Sequence, residues 1–262
     1  MTAPAYEQVR LTLSDGWLAG DVWLAVEPNR PVVMFIHGFG SVRKGEKALA
    51  LQAACARRGW NFAAFDFRGH GDSSGTMLDL RPSGLLADLD AIRTWLVAHG
   101  VTTVYPVGSS MGGWAAAWFT LLHPDTVPAC VLLAPAFYWL TSRWSKLTDA
   151  ERALWKQTGR HRVKTDWVEA ELGFGLAEER DRYPFQQLIT EWAKPLLIFH
   201  GMQDNVIPYA HSLYFAEQAK LPGVELHLFK DGDHRLTAHK DEIAEAACGF
   251  FAAHGAAGQA AG

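Results

Sequence analysis

A β-branched, apolar run, Val101-Thr102-Thr103-Val104-Tyr105-Pro106-Val107, meets a helix-period run from Gly113 to Leu122 across the five residues Gly108-Ser109-Ser110-Met111-Gly112. A chain that passes from strand to helix this abruptly must hold the central residue, Ser110, in a strained backbone conformation. The flanking glycines let the two elements pass closely. The pattern Gly-x-Ser-x-Gly in this context exposes the serine hydroxyl at the tip of a sharp turn. It also dictates a fold in which strands feed helices that pack back on a sheet.

The rest of the chain repeats that rhythm. Glu7–Leu13 and Trp17–Val26 read as antiparallel strands joined by Ser14-Asp15-Gly16. Further strands are expected at Pro31–Ile36, Trp60–Asp66, Val101–Val107, Val127–Ala134, Pro195–Phe199 and Val224–Phe229. Helices fit Lys44–Arg58 (with Gly59 as its stop), Gly84–His99, Met111–His123, Pro208–Ala219 and Asp241–His254. Strands without polar alternation, separated by helices, imply an α/β fold. Its central sheet is mostly parallel, covered by helices on both faces and linked by right-handed crossovers.

The stretch 138–183 breaks the rhythm and carries Trp139, Trp144, Trp155 and Trp167. An insertion of this length between sheet strands is usually functional. It is expected to form a small helical cap over a core made of residues 1–137 and 184–254, with 255–262 as a disordered Ala/Gly-rich tail. Its aromatics serve either to line an apolar pocket or to glue the cap to the body. A tryptophan-rich surface also suits a homodimer interface.

Composition narrows the partners. A formal net charge of −4 over 262 residues gives no basic footprint, so nucleic acid is not expected as a partner. Acidic substrates stay open, because local charge departs from the total. Cys55, Cys130 and Cys248 are odd in number, widely spaced and set in apolar stretches, as buried thiols are. Met1–Arg10 has no signal-peptide pattern, and the apolar run Val127–Leu140 is short and interrupted by Pro128 and Pro135. A cytoplasmic protein without a membrane span is expected.

Serine is a weak nucleophile that needs an adjacent base, itself held by a third group. His234, in Gly232-Asp233-His234-Arg235, follows the last expected strand. Asp204, in His200-Gly201-Met202-Gln203-Asp204, follows the strand before it. The loops bearing Ser110, Asp204 and His234 leave one sheet edge, where open α/β sheets bind ligands. Two backbone donors are needed for a developing oxyanion. Met111 N–H comes with the turn, and Phe39 N–H is the candidate from His37-Gly38-Phe39-Gly40. His37 is read as shaping that loop, His200 as capping a strand and His70 as a loop histidine. Asp231 and Asp233 lie too near His234 in sequence to reach its ring. Asp66, Arg68 and Asp72 are read as loop braces. The histidines lack metal-site spacing and no dinucleotide loop follows the early strands, so neither metal nor cofactor is expected.

Taken together, His-Gly-Phe-Gly at 37–40, Asp-Phe-Arg-Gly-His-Gly-Asp-Ser at 66–73, Gly-Ser-Ser-Met-Gly-Gly at 108–113, His-Gly-x-x-Asp at 200–204 and Gly-Asp-His at 232–234 resemble the α/β-hydrolase superfamily over roughly residues 17–254. Within it the chain looks most like small-cap carboxylesterases and monoacylglycerol-lipase-like members. The Gly-Ser-Ser-Met-Gly-Gly-Trp turn also resembles acyl-protein thioesterases. The resemblance implies a serine hydrolase with a Ser110–Asp204–His234 triad and an acyl-enzyme. Phe39, Trp114, Trp139 and Trp144 point to an apolar or aryl acyl group in a small-molecule ester. The rival readings are a thioesterase, a carbon–carbon hydrolase or perhydrolase, a triad-bearing receptor, and a serine aminopeptidase. The last needs cap acids such as Asp149, Glu151, Glu169 and Glu171 to hold a substrate ammonium.

Overall fold

The computed structural model describes residues 5–25, 30–165 and 168–255. Trp167, the end of the second expected strand at Val26 and nearly all of the expected tail lie outside them. The chain opens with strands β1 (Ala5–Leu13) and β2 (Gly16–Leu24), then β3 (Val32–Ile36), helix α1 (Glu46–Arg57), β4 (Asn61–Phe65) and α2 (Pro82–Ala98). The turn motif joins β5 (Val104–Ser109) to α3 (Met111–Leu122), and β6 (Cys130–Leu133) follows. The insertion holds α4 (Trp139–Ser145), α5 (Asp149–Thr158), β7 (Arg160–Lys164), β8 (Glu169–Gly173) and α6 (Gly175–Glu178). The chain closes with α7 (Phe185–Glu191), β9 (Leu196–Gly201), α8 (Ala210–Gln218), β10 (Val224–Phe229) and α9 (Lys240–Ala253).

The eight-stranded sheet has the order β1-β2-β4-β3-β5-β6-β9-β10. Its β1–β2 and β2–β4 pairs are antiparallel and every other pair is parallel. The central strands are buried on both faces, which is why their sequences lack polar alternation. Along β3, Met34 and Ile36 pack into one core with Trp114, Phe119, Leu132 and Ile198. Val33 and Phe35 pack into the other with Leu51, Val107, Phe199 and Phe251. Helices α2 and α3 cover the first face; α1 and α9 cover the second. Each large apolar side chain buried this way contributes about 1.5–3 kcal/mol.

Register sets the site. Ile36 pairs with Gly108, Ser109 with Leu133, Leu133 with Phe199 and Phe229 with Gly201. The strands therefore end together, and the loops beginning at His37, Ser110, Ala134, Met202 and Lys230 leave one edge of the sheet.

The insertion is more than helical. Its two-stranded hairpin, with Arg160 opposite Gly173 and Lys164 opposite Glu169, was not visible in the sequence pattern. Both strands are short and place charged residues at alternate exposed positions, so they carry no apolar run to read. Helix α5 starts at Thr148, whose side chain accepts from Glu151 N–H while the Glu151 carboxylate accepts from Thr148 N–H. This reciprocal cap uses up the Glu151 side chain. Helix α5 ends at Gly159 (φ +72°), and α1 is followed by Gly59 (φ +64°), the stop expected from the sequence. The three cysteines are buried and free.

Candidate active site

Ser110 sits between β5 and α3 with φ 55° and ψ −116°, a conformation that non-glycine residues adopt only under strain. Close packing imposes it. A Cβ on Gly108 would lie 2.3 Å from Gly112 O, and one on Gly112 would lie 2.2 Å from Ile36 O. The two glycines let α3 press against β5 and the end of β3, which thrusts Ser110 out of the sheet edge.

The three residues expected to act together are in hydrogen-bond contact. His234 Nε2 lies 3.0 Å from Ser110 Oγ, and His234 Nδ1 lies 2.7 Å from Asp204 Oδ2. The Asp204 side chain is fully buried, whereas that of His234 keeps 14% of its surface accessible. Burial pushes the Asp204 carboxyl upward. Hydrogen bonds from His200 and His234, the His234 charge and the Ile207 N–H more than offset it and hold the group well below the ordinary carboxylate range. The loop after β9 is wound around this carboxylate, since Val206 N–H and Ile207 N–H donate to Oδ1 at 2.8 and 2.7 Å.

His200 is the residue that sequence reasoning misplaced. It does not cap a strand. It lies fully buried in β9, with Nε2 3.1 Å from Asp204 Oδ2 and 3.0 Å from Ile207 O, and Nδ1 2.8 Å from Ser212 Oγ. Two acceptors at Nε2 place its proton there, so the Ser212 hydroxyl donates to Nδ1. The signal was the His-Gly-x-x-Asp spacing, which sets a strand-end histidine four residues before the carboxylate. Asp233 accepts from Leu236 N–H at 2.8 Å and takes no part in holding His234.

Phe39 and Met111 line the same cavity as Ser110 and His234, and no described residue accepts from their N–H groups. His37 shapes the Phe39 loop. Its Nδ1–H donates to Gly38 O at 2.8 Å, and its Nε2 accepts from Phe67 N–H at 3.0 Å. Burial lowers its pKa to about 4, so it stays neutral and is spent on structure. His70 lies in the loop after β4, as expected, but is buried there, 4% accessible, its ring 5.0 Å from that of His37. Behind the loop, Arg43 binds Asp21 at 2.8 Å and Asp72 at 2.9 Å and also pairs with Asp66; Arg68 binds Asp88 at 2.6 Å and Asp15 at 2.7 Å. The expected braces are thus real, but each acts through a partner the sequence did not name.

The cavity has a volume of about 520 Å³. Trp139 lines it, as expected. Trp114 and Trp144 do not. Trp114 is 1% accessible and packs edge-on against Tyr183 and Trp139. Trp144 faces Trp155 and Phe174 within the insertion, with Arg180 4.7 Å above its ring. Trp114 thus packs the insertion onto the body, and Trp144 packs the insertion within itself. Asp149, Glu151, Glu169 and Glu171 are exposed, are engaged by Arg152, Thr148, Arg162 and Arg160, and none of them lines the cavity.

Geometrically, a hydroxyl, an imidazole and a buried carboxylate stand in series at a cavity that Phe39 and Met111 also line. This series can transfer a proton from a nucleophile. Among the described residues no cluster of His, Cys, Asp or Glu could hold a metal ion, and no helix is long and apolar enough to cross a membrane.

The mouse protein named mitochondrial palmitoyl-protein thioesterase ABHD10 is 28% identical over 217 residues, covering 80% of this chain and 71% of that protein. A putative hydrolase from Agrobacterium vitis S4 superposes with a TM-score of 0.83 at 27% identity, covering 95% of this chain and 99% of the other. Est1E from Butyrivibrio proteoclasticus, solved with ferulic acid bound, shares the fold at a TM-score of 0.81 and 22% identity, covering 94% of this chain and 98% of the other. The model of the alpha/beta hydrolase fold matches residues 31–162, half of the chain, and the protein accordingly belongs to the alpha/beta hydrolase family and is a hydrolase.

Proposed function

We propose that the protein is a serine carboxylic-ester hydrolase acting on short- to medium-chain or aryl esters. The observation that carries this reading is the Ser110–His234–Asp204 series, at 3.0 and 2.7 Å, opening into one cavity with Phe39 and Met111. Ser110 Oγ attacks the ester carbonyl while His234 Nε2 takes its proton. The N–H groups of Phe39 and Met111 hold the tetrahedral oxyanion. His234 then protonates the leaving alcohol. A water molecule activated by His234 hydrolyses the acyl-enzyme and regenerates Ser110. Asp204 fixes the tautomer of His234 and stabilises its cationic form.

The substrate class is supported by the cavity wall. Phe39, Trp139, Val168, Val206 and Ile207 make it largely apolar, and about 520 Å³ suits a small ester. Residues 138–183 are read as a cap over the sheet edge that supplies part of this wall. A thioester is the second reading, favoured by the name of the mouse relative. The same groups attack either carbonyl.

The test is hydrolysis of p-nitrophenyl esters from acetyl to palmitoyl, with Ser110→Ala alongside. Turnover peaking at short or medium chains and falling about 10⁴-fold or more in the variant is expected. Retention of turnover in Ser110→Ala sinks the reading. Matched oxygen and sulfur esters of one acyl chain separate esterase from thioesterase by kcat/KM.

A further inference from the structure

Three cationic side chains line the cavity: Lys47, Arg143 and Arg235. Two are engaged. Lys47 Nζ donates to Arg235 O at 2.7 Å, and the Arg235 guanidinium lies 3.5 Å from Glu46, the one acidic residue in the described wall. Arg143, on α4, differs. It has no hydrogen bond or ion pair among the described residues, and its Nε is buried without an acceptor. Among the described residues its guanidinium carbon lies 5.8 Å from the Phe39 ring, and His161 is within electrostatic reach but offers no negative charge. One helical turn earlier, Trp139 lines the same cavity, and its indole Nε1 is also buried without an acceptor.

Buried charges in folded proteins are normally paired, because desolvation is costly and a partner offsets it. Burial has depressed the pKa of this guanidinium, and no carboxylate among the described residues restores it. An arginine left in that state on the wall of a reaction cavity, beside a second unmatched donor, is suited to an acceptor that arrives with the substrate. Its planar fork favours an anionic oxygen pair.

We propose that Arg143 receives an anionic oxygen group of the substrate, so that the preferred esters carry a carboxylate or a phosphate within reach of the scissile carbonyl. This rests on the serine-hydrolase reading and narrows it. It also resolves the charge question left open by the acidic total: the chain carries −4 overall, yet the described cavity wall presents three cations against one carboxylate. The group acts by binding and orientation, and no proton or bond order changes at Arg143.

The experiment compares anionic esters with neutral counterparts that share the scissile bond: p-nitrophenyl hemiglutarate against p-nitrophenyl hexanoate, which are close in size, and 1-butyrylglycerol 3-phosphate against 1-butyrylglycerol. The readout is the ratio of kcat/KM, anionic to neutral, in wild type, Arg143→Gln and Arg143→Lys. In wild type at low salt one of the two ratios is expected to exceed one. That ratio drops about 10- to 100-fold in Arg143→Gln, the size of a lost charged hydrogen bond, and is partly retained in Arg143→Lys. Which pair responds tells carboxylate from phosphate. Wild type carries a test needing no variant: glutarate or inorganic phosphate inhibits hydrolysis of the neutral ester competitively, and added salt relieves it. Ser110-dependent hydrolysis of neutral esters with both ratios at or below one overturns this inference alone. Equal ratios in wild type and Arg143→Gln do the same. No Ser110-dependent hydrolysis of any ester overturns both this inference and the reading beneath it.

Discussion

His200 Nε2 lies 3.1 Å from Oδ2 of Asp204, the same oxygen that meets His234 Nδ1 at 2.7 Å. The carboxylate is thus held from the sheet side by a buried histidine and presented on its other side to a partly accessible one. His200 touches neither substrate nor the reacting atoms, so it acts as a positioning residue. In His200→Leu the Asp204 carboxylate loses a donor and its loop a clamp. A fall in kcat of about 10-fold with little change in KM is expected, of the size a small misplacement causes. With one donor fewer, Asp204 is more basic and grips the imidazolium more tightly. The acid limb of the kcat/KM profile should therefore move to higher pH. Ser212→Ala, one step further out, should do the same more weakly. An unmoved pH profile alongside a lower thermal midpoint would reduce His200 to packing.

Gly112 offers a sharper test of how the turn is built. An added Cβ meets Ile36 O at 2.2 Å and His37 O at 2.4 Å, both backbone atoms that cannot rotate away. Gly112→Ala must push α3 from the end of β3, which carries the Phe39 loop. A loss of about 1–3 kcal/mol in urea unfolding is expected from the overpacking. If Phe39 N–H leaves its place, kcat falls by about 10²–10³-fold as well. Wild-type kcat in a folded variant would show that the loop and the turn are not coupled.

The positions of the strands, the turn at Ser110 and the loops bearing Asp204 and His234 were legible because each rests on local pattern. Apolar runs mark buried parallel strands, and glycines mark close approach. What was not legible depends on packing between distant segments. Trp114 and Trp139 are indistinguishable as letters, yet one is 1% accessible in the core and the other lines the cavity. Arg143 is one arginine among several in the insertion, and only the absence of a partner among the described residues singles it out. The β7–β8 hairpin offers no apolar run because half of its residues, Arg160, Arg162, Lys164, Glu169 and Glu171, are exposed charges. Arg43 and its three carboxylates come from segments up to 51 residues apart, from Asp21 to Asp72, which no spacing rule connects.

Acid sensitivity should trace in part to His70. Its folded pKa is lowered to about 3, first by burial and then by the neighbouring His37, against an ordinary 6.5. A depressed histidine leaves the unfolded chain with more bound protons between those values, so stability rises with pH across that window and is lost on acidification. The slope is about 1.4 kcal/mol per pH unit, or about 2 kcal/mol between pH 6.5 and 5. His70→Phe keeps a ring in the site and removes the titration. Stability curves by urea at pH 7 and pH 5 should converge on or favour the variant at the lower pH. His37 shifts in the same sense, with a pKa of about 4, and remains in both proteins, so the difference isolates His70. Parallel curves would mean that His70 is protonated in the folded state at pH 5.

Arg43 makes the strongest stability prediction. Its side chain is 6% accessible and faces Asp21, also 6%, and Asp66, fully buried. Asp66 further accepts from the backbone N–H of Arg43 at 2.7 Å and of Asp72 at 3.0 Å, which ties the segment after the Phe39 loop to the loop after β4. Arg43→Met keeps the bulk and removes the charge, leaving buried Asp66 without its cation and Asp21 with only Lys44 Nζ, 3.7 Å away. A loss of about 3–5 kcal/mol at pH 7 is expected. The sign of its pH dependence is distinctive. Uncompensated carboxylates have raised pKa values in the folded state, so the folded variant binds more protons than the unfolded chain and recovers stability as pH falls toward 5. Adding Asp66→Asn should restore part of the loss at pH 7. A loss below about 1 kcal/mol, or one that does not depend on pH, would mean that water or another cation reaches these carboxylates, and that the hydrogen bonds to Asp66, rather than the Arg43 charge, hold the loop.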